Sequence, residues 1–132
     1  MEEMTVKTSE REEFIDITSR VQKVVDDSGV KSGFAFCFIP HTTAAITINE
    51  NADPDVRHDI ISKLRQEFPE DGHYRHSEGN SDAHIKSSLV GPSQQIIVEN
   101  GKLVLGRWQG LYFCEFDGPR SRRLIVKVVS FD

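Results

Sequence analysis

The segment GFAFCFIP, residues 33–40, constrains this chain most. Extended backbone alternates its side chains. Phe34, Phe36 and Phe38 therefore point one way, and Ala35, Cys37 and Ile39 the other. A strand apolar on both faces belongs in the middle of a sheet, and its backbone groups need partner strands on both sides. The sequence supplies them. TVKT and EFIDIT read as short strands near the start, and TTAAITINEN follows the break at Pro40-His41. QQIIVE and KLVLG flank ENGK, whose Asn-Gly pair is a strong hairpin signal. GLYFCEFD and RRLIVKVVSF close the chain, joined by the turn-type sequence GPRS.

Helical periodicity is confined to three segments. SRVQKVVDDSG spaces Val21, Val24 and Val25 on one side, with Thr18 or Ser19 able to cap it and Gly29 able to end it. ADPDVRHDIISKLRQEF has Asp53 as cap, Pro54 at the first helical position, and an apolar stripe of Val56, Ile60, Ile61, Leu64 and Phe68. SDAHIKSSLVG is predicted as a short helix capped by Ser81 and ended by Gly91. Ile85 and Leu89 should face its core side, and His84 and Ser88 the neighbouring face. The expected fold is a single α+β domain over residues 1–132. Mostly antiparallel sheets should pack as a sandwich-like core under two or three outer helices.

With 132 residues, 37% hydrophobic and 28% charged, the chain can bury one core without staples. A net charge of −5 argues against nucleic acid or an anionic membrane as partner. Arg120, Arg122, Arg123 and Lys127 nevertheless cluster with no acid between them and could form a local anion site. Cys37 and Cys114 lie in apolar runs and read as buried free thiols. The acidic start lacks the features of a signal peptide, and no window approaches membrane-spanning length. A cytoplasmic protein is expected.

The candidate chemistry concentrates in HYRHSEGNSDAHIKSS, residues 73–88, which holds three of the five histidines. Spacing alone matches no tight metal signature and suits a solvated loop. His41, at the break between two core strands, is either a turn histidine or part of a site. Two carboxylates stand out: Glu50, at the end of the ITIN strand and flanked by Asn49 and Asn51, and Glu115, among the apolar neighbours of LYFCEFD. A buried carboxylate is costly unless paired, so each is either a site residue or half of an ion pair, with the arginines at 120–123 as candidate partners. Trp108 and Gln109 precede Gly110 at a strand entry, where an aromatic wall and an amide could read a flat ring. The start of the 81–89 helix, with Lys86 nearby, could hold a phosphate.

Three stretches together, PHTTAAITINENADPDVR, YRHSEGNSDAHIKSSLVGPS and NGKLVLGRWQGLYFCEFDGPRSRRLIVKV, resemble the YjbQ family, described as secondary thiamine-phosphate synthases. The resemblance runs from about Phe34 to Lys127 in one order. It implies a small α+β sandwich-like domain that forms a homotrimer. It implies a divalent metal, zinc or magnesium, on His41, His76 and His84. The implied reaction joins a pyrimidine methyl diphosphate to a thiazole phosphate and releases pyrophosphate. Glu50 and Glu115 would then be catalytic. Asn51, Lys86, Ser88, Trp108, Gln109, Arg120 and Arg122 would contact the phosphorylated substrates. Two other classes remain open on the residues alone: a metal-dependent hydrolase with Glu50 as general base, and a non-catalytic metal or small-molecule binding protein.

Overall fold

A computed structural model describes residues 1–132. The elements run β1 (Glu2–Lys7), β2 (Glu13–Asp16), α1 (Thr18–Ser28), β3 (Ser32–Phe38), β4 (Ala44–Glu50), α2 (Pro54–Glu67), α3 (Ser81–Val90), β5 (Ser93–Glu99), β6 (Lys102–Leu103), β7 (Gln109–Glu115) and β8 (Ser121–Ser130). The strands form two antiparallel sheets, one in the order β1-β8-β3-β5-β6 and one in the order β2-β7-β4. The fold is α+β, as expected. No helix is long and apolar enough to cross a membrane.

The main core lies between the sheets. Val6, Ala35, Cys37, Ile96, Val98, Leu124 and Val126 come from the larger sheet, Ala44, Ile46, Leu111 and Phe113 from the smaller one, and Val21 and Val25 from α1. A second cluster on the outer face of the smaller sheet joins Phe14, Ala45, Tyr112, Cys114 and Phe116 to Ala83 of α3, with Ile60, Ile61 and Leu64 of α2 packed against it.

The doubly buried strand is β7 rather than β3. From Gly110 to Glu115 every residue of β7 is buried, because Leu111 and Phe113 enter one cluster while Tyr112 and Cys114 enter the other. Strand β3 is central in its sheet, between β8 and β5. Only its Ala35–Cys37–Ile39 face is fully buried, and the phenylalanine face is half open, with Phe34 against Phe131.

Local chemistry explains the boundaries. Asp53 caps α2 through the Asp55 N–H, with Pro54 at the first position. Asn100 and Gly101 both take positive φ in the β5–β6 turn, the geometry that an Asn-Gly hairpin demands. Two expected caps are corrected. Helix α1 begins after Ile17, and the Thr18 hydroxyl instead donates to Asp16 and accepts from the Leu111 N–H. Helix α3 begins after Asn80, with no side-chain cap from Ser81.

The face of α3 is also corrected. Leu89 is 63% exposed, while Asp82, Ala83, Lys86 and Ser87 are buried. The inward face is largely polar, held by ion pairs that apolar periodicity cannot register.

Candidate functional site

The histidine-rich stretch forms the wall of a real cavity. His73, Tyr74, Arg75, His76, Ser81, His84 and Ile85 line a space of about 490 Å3. His84 stands in the first turns of α3, and His76 in the preceding loop. Their rings meet edge to face with centroids 5.5 Å apart. His73 lines the same cavity.

His41 lies elsewhere. It lines a second cavity, of about 530 Å3, with Phe38, Thr42, Thr43, Arg120 and Arg122 among its walls. Strand β3 ends at Phe38, paired with Ile125, while β8 begins four residues earlier, at Ser121. The imidazole of His41 fills part of that gap, where its Nε2 accepts the Arg123 backbone N–H at 2.8 Å. A backbone N–H can only donate, so Nε2 carries no proton and the neutral ring keeps its proton on Nδ1. Burial lowers the pKa of His41 first; the positive charge of Arg122, and then of Arg123 and Arg120, lowers it further against an opposing pull from Glu115.

Within one chain the three histidines implied as a metal set do not converge, since His41 lines one cavity and His76 and His84 another. No group of three or more histidine, cysteine, aspartate or glutamate side chains is placed to hold a metal within the chain. The donor chemistry of His41 also does not fit. A neutral imidazole has one nitrogen lone pair, and His41 has given it to Arg123. His76 and His84 together supply only half of a tetrahedral set.

Arg122 is 3% exposed. Its Nε donates to both carboxylate oxygens of Glu115 at 2.9 and 3.1 Å, and its Nη2 donates to Glu115 Oε2, to the Thr43 hydroxyl at 2.8 Å and to the Thr43 carbonyl at 3.2 Å. Glu115 also accepts from the Thr8 hydroxyl and from the N–H groups of Phe116 and Asp117. Burial raises the pKa of Glu115, but Arg122 and these donors outweigh it and hold the carboxyl below its ordinary value. Glu115 is thus the anchor of Arg122, saturated with donors, and not a free acid or base.

Four of the remaining expected site residues meet at one end of the smaller sheet, where Glu50 pairs with Gln109 across β4 and β7 and the Asn51 N–H donates to the Trp108 carbonyl at 3.0 Å. Glu50 accepts the Asp53 N–H at 3.2 Å and so shapes the entry to α2. Asn51 donates to Asp16 and packs against Gly110, where even a Cβ would meet its amide at 2.4 Å. Gln109 accepts the Gly106 N–H in its own turn. Trp108 is exposed beneath the guanidinium of Arg107. Ser88 donates to the carbonyl of His84. Lys86 is fully buried, with Nζ 2.7 Å from Asp82 and 3.0 Å from Glu12, and lines neither the His84 nor the His41 cavity. Arg11 forks onto Asp82, and Arg65 reaches Glu12, which closes that network.

The sequence matches the family described as UPF0047 protein YjbQ-like over residues 2–131. The chain belongs to the YjbQ family. It is 56% identical to a UPF0047 protein of Methanocaldococcus jannaschii over 125 residues, covering 95% of this chain and 91% of that one. It is 52% identical to UPF0047 protein YugU of Bacillus subtilis, covering 96% and 97%. An uncharacterized YjbQ/UPF0047 crystal structure from Clostridium acetobutylicum superposes with a TM-score of 0.96 at 62% identity, covering 98% of this chain and all of that one. A YjbQ-like protein of unknown function from Sulfolobus solfataricus gives 0.94 at 32% identity, covering 98% and 95%.

Within this YjbQ-family chain, sequence reasoning missed Thr8, Thr43 and Glu12. Thr8 and Thr43 are 8% and 5% exposed yet hydrogen-bonded into the Arg122 cluster, and Glu12 closes the Lys86 network. None carries a local signal. Only the buried arginine and lysine, which demand partners, point to them.

Proposed function

We propose that the chain is a thiamine-phosphate synthase-like transferase, joining a pyrimidine methyl diphosphate to a thiazole phosphate with release of pyrophosphate. The observation that carries this reading is the cavity of about 490 Å3 whose walls include Tyr74, His76 and His84, three flat rings beside the Ser81 hydroxyl. Such walls suit a heteroaromatic ring, with imidazole nitrogens available to its polar edge. Membership of the YjbQ family, whose motifs the chain carries at YRH and AHIK, supports the same reading.

In this reaction the thiazole nitrogen attacks the pyrimidine methylene. The new C–N bond forms as the C–O bond breaks, and the electron pair leaves with the diphosphate. No proton is removed from either ring. The step therefore needs positioning and anion stabilisation rather than a general base. That requirement agrees with Glu50 and Glu115 being held in structural hydrogen bonds. A hydrolase would need a base carboxylate beside an activated water, and neither of these two carboxylates lines the histidine cavity. A homotrimer belongs to the same proposal, and light scattering on the purified protein tests it.

Incubation with both substrates, with chromatographic detection of thiamine phosphate, tests the activity. His84→Ala should abolish most product formation while leaving the fold intact. Product no higher in the wild type than in that variant overturns the reading.

A further inference from the structure

The cavity around His41 has no part in the ring-binding site above, yet it is built like an oxyanion receptor. Arg122 is the deciding residue. Its Nε and Nη2 are committed to Glu115 and Thr43, but Nη1 donates to no protein atom. Nη1 is also not sealed off, since the only buried side-chain polar atoms without a partner are Asn80 Oδ1 and Ser87 Oγ. A side chain that is 3% exposed thus presents one unused N–H-bearing nitrogen to the cavity it lines.

Two further donors share that cavity. The proton of neutral His41 sits on Nδ1, which meets no protein acceptor, and the hydroxyl of Thr42 is likewise unpaired. At the rim, Arg120 uses Nε and Nη2 on Asp117 and leaves Nη1 free. No acidic side chain lines the space. Glu115 and Asp117 balance the two guanidinium charges from behind, which fixes the donors in place without occupying their open sides.

We infer that the cavity lined by His41, Thr42, Arg120 and Arg122 binds the phosphoryl group of a small molecule, with Arg122 Nη1 and His41 Nδ1 as its inner donors. Such a group offers three acceptor oxygens and two negative charges, matching fixed donors of this kind. The inference stands independently of the proposed transferase reaction.

Calorimetric titration with inorganic phosphate, inorganic pyrophosphate and phenyl phosphate tests the inference without turnover. The wild type should bind at least one of them saturably, one per chain. His41→Ala and Arg120→Gln, both at partly exposed positions, should each weaken binding roughly tenfold, and Arg122→Lys should weaken it more by losing the fork. Tighter binding of phenyl phosphate assigns the site to an ester, and tighter binding of the inorganic ions to free phosphate. No saturable binding at millimolar ligand, or affinity unchanged in both His41→Ala and Arg120→Gln, overturns the site. His84→Ala should leave phosphate binding intact even where it abolishes product, so the two proposals fail separately.

Discussion

Two buried charge clusters in this chain use similar parts to different ends. One joins Glu12, Asp82 and Lys86 with Arg11 and Arg65 beneath α3. The other joins Arg122 to Glu115, Thr8 and Thr43 at the end of the main core. In the first, the cation is fully enclosed and points both its ion pairs at protein carboxylates. In the second, an equally enclosed cation keeps one nitrogen for the solvent side. Burial of charge alone therefore does not mark a binding site here. What distinguishes the second cluster is a donor left over after the protein has taken its share.

The sharpest break of that comparison is Lys86→Met. It leaves the carboxylates of Glu12 and Asp82 without their shared ammonium, and removing one partner of a buried pair costs about 3 kcal/mol. Urea unfolding should show that loss, while phosphate affinity stays at the wild-type level. A Lys86→Met protein that unfolds like the wild type would show that Arg11 and Arg65 satisfy the carboxylates unaided.

Acid should weaken both clusters together. Asp82 and Glu115 are each raised by burial but lowered more by their cationic and hydrogen-bonding partners, for a net depression. A carboxyl depressed in the fold and ordinary in the unfolded chain adds stability that is complete above the unfolded value. That stability is lost as the pH falls below about 4 toward the folded values. Unfolding free energy should therefore drop steeply in that window, and a flat profile between pH 5 and pH 2 would contradict the paired state of both residues.

Smaller effects sharpen the same contrast. His41→Ala removes the acceptor of the Arg123 N–H and should lower stability by about 1 kcal/mol in the same unfolding assay, a modest loss beside its effect on phosphate binding. Leu89→Ser, on the exposed side of α3, should change stability by less than about 0.5 kcal/mol. A large loss there would restore Leu89 to an apolar contact.

Much of the fold was legible because strands and caps are local. Alternation in GFAFCFIP and LYFCEF, the Asp53-Pro54 start of α2 and the Asn100-Gly101 turn all act over a few residues. The face of α3 was not legible, since Asp82 and Lys86 turn inward only because Glu12 and Arg11 meet them from some seventy residues away. The site was legible in its residue types more than in its grouping. His76 and His84 do face each other, and Arg120 and Arg122 do line a cavity. But His41 joined the arginines instead of the histidines, a choice made by the end of β3 against β8, which no spacing in the sequence encodes.

The position of the His41 ring also bears on solubility. Strand β8 outruns β3, so on that side a short length of its backbone would otherwise be an open edge, a template for another strand to add to. An imidazole that occupies the Arg123 N–H blunts this edge with a group no incoming strand can extend. The residue that helps shape an anion receptor thereby also guards the sheet against unintended pairing with other chains.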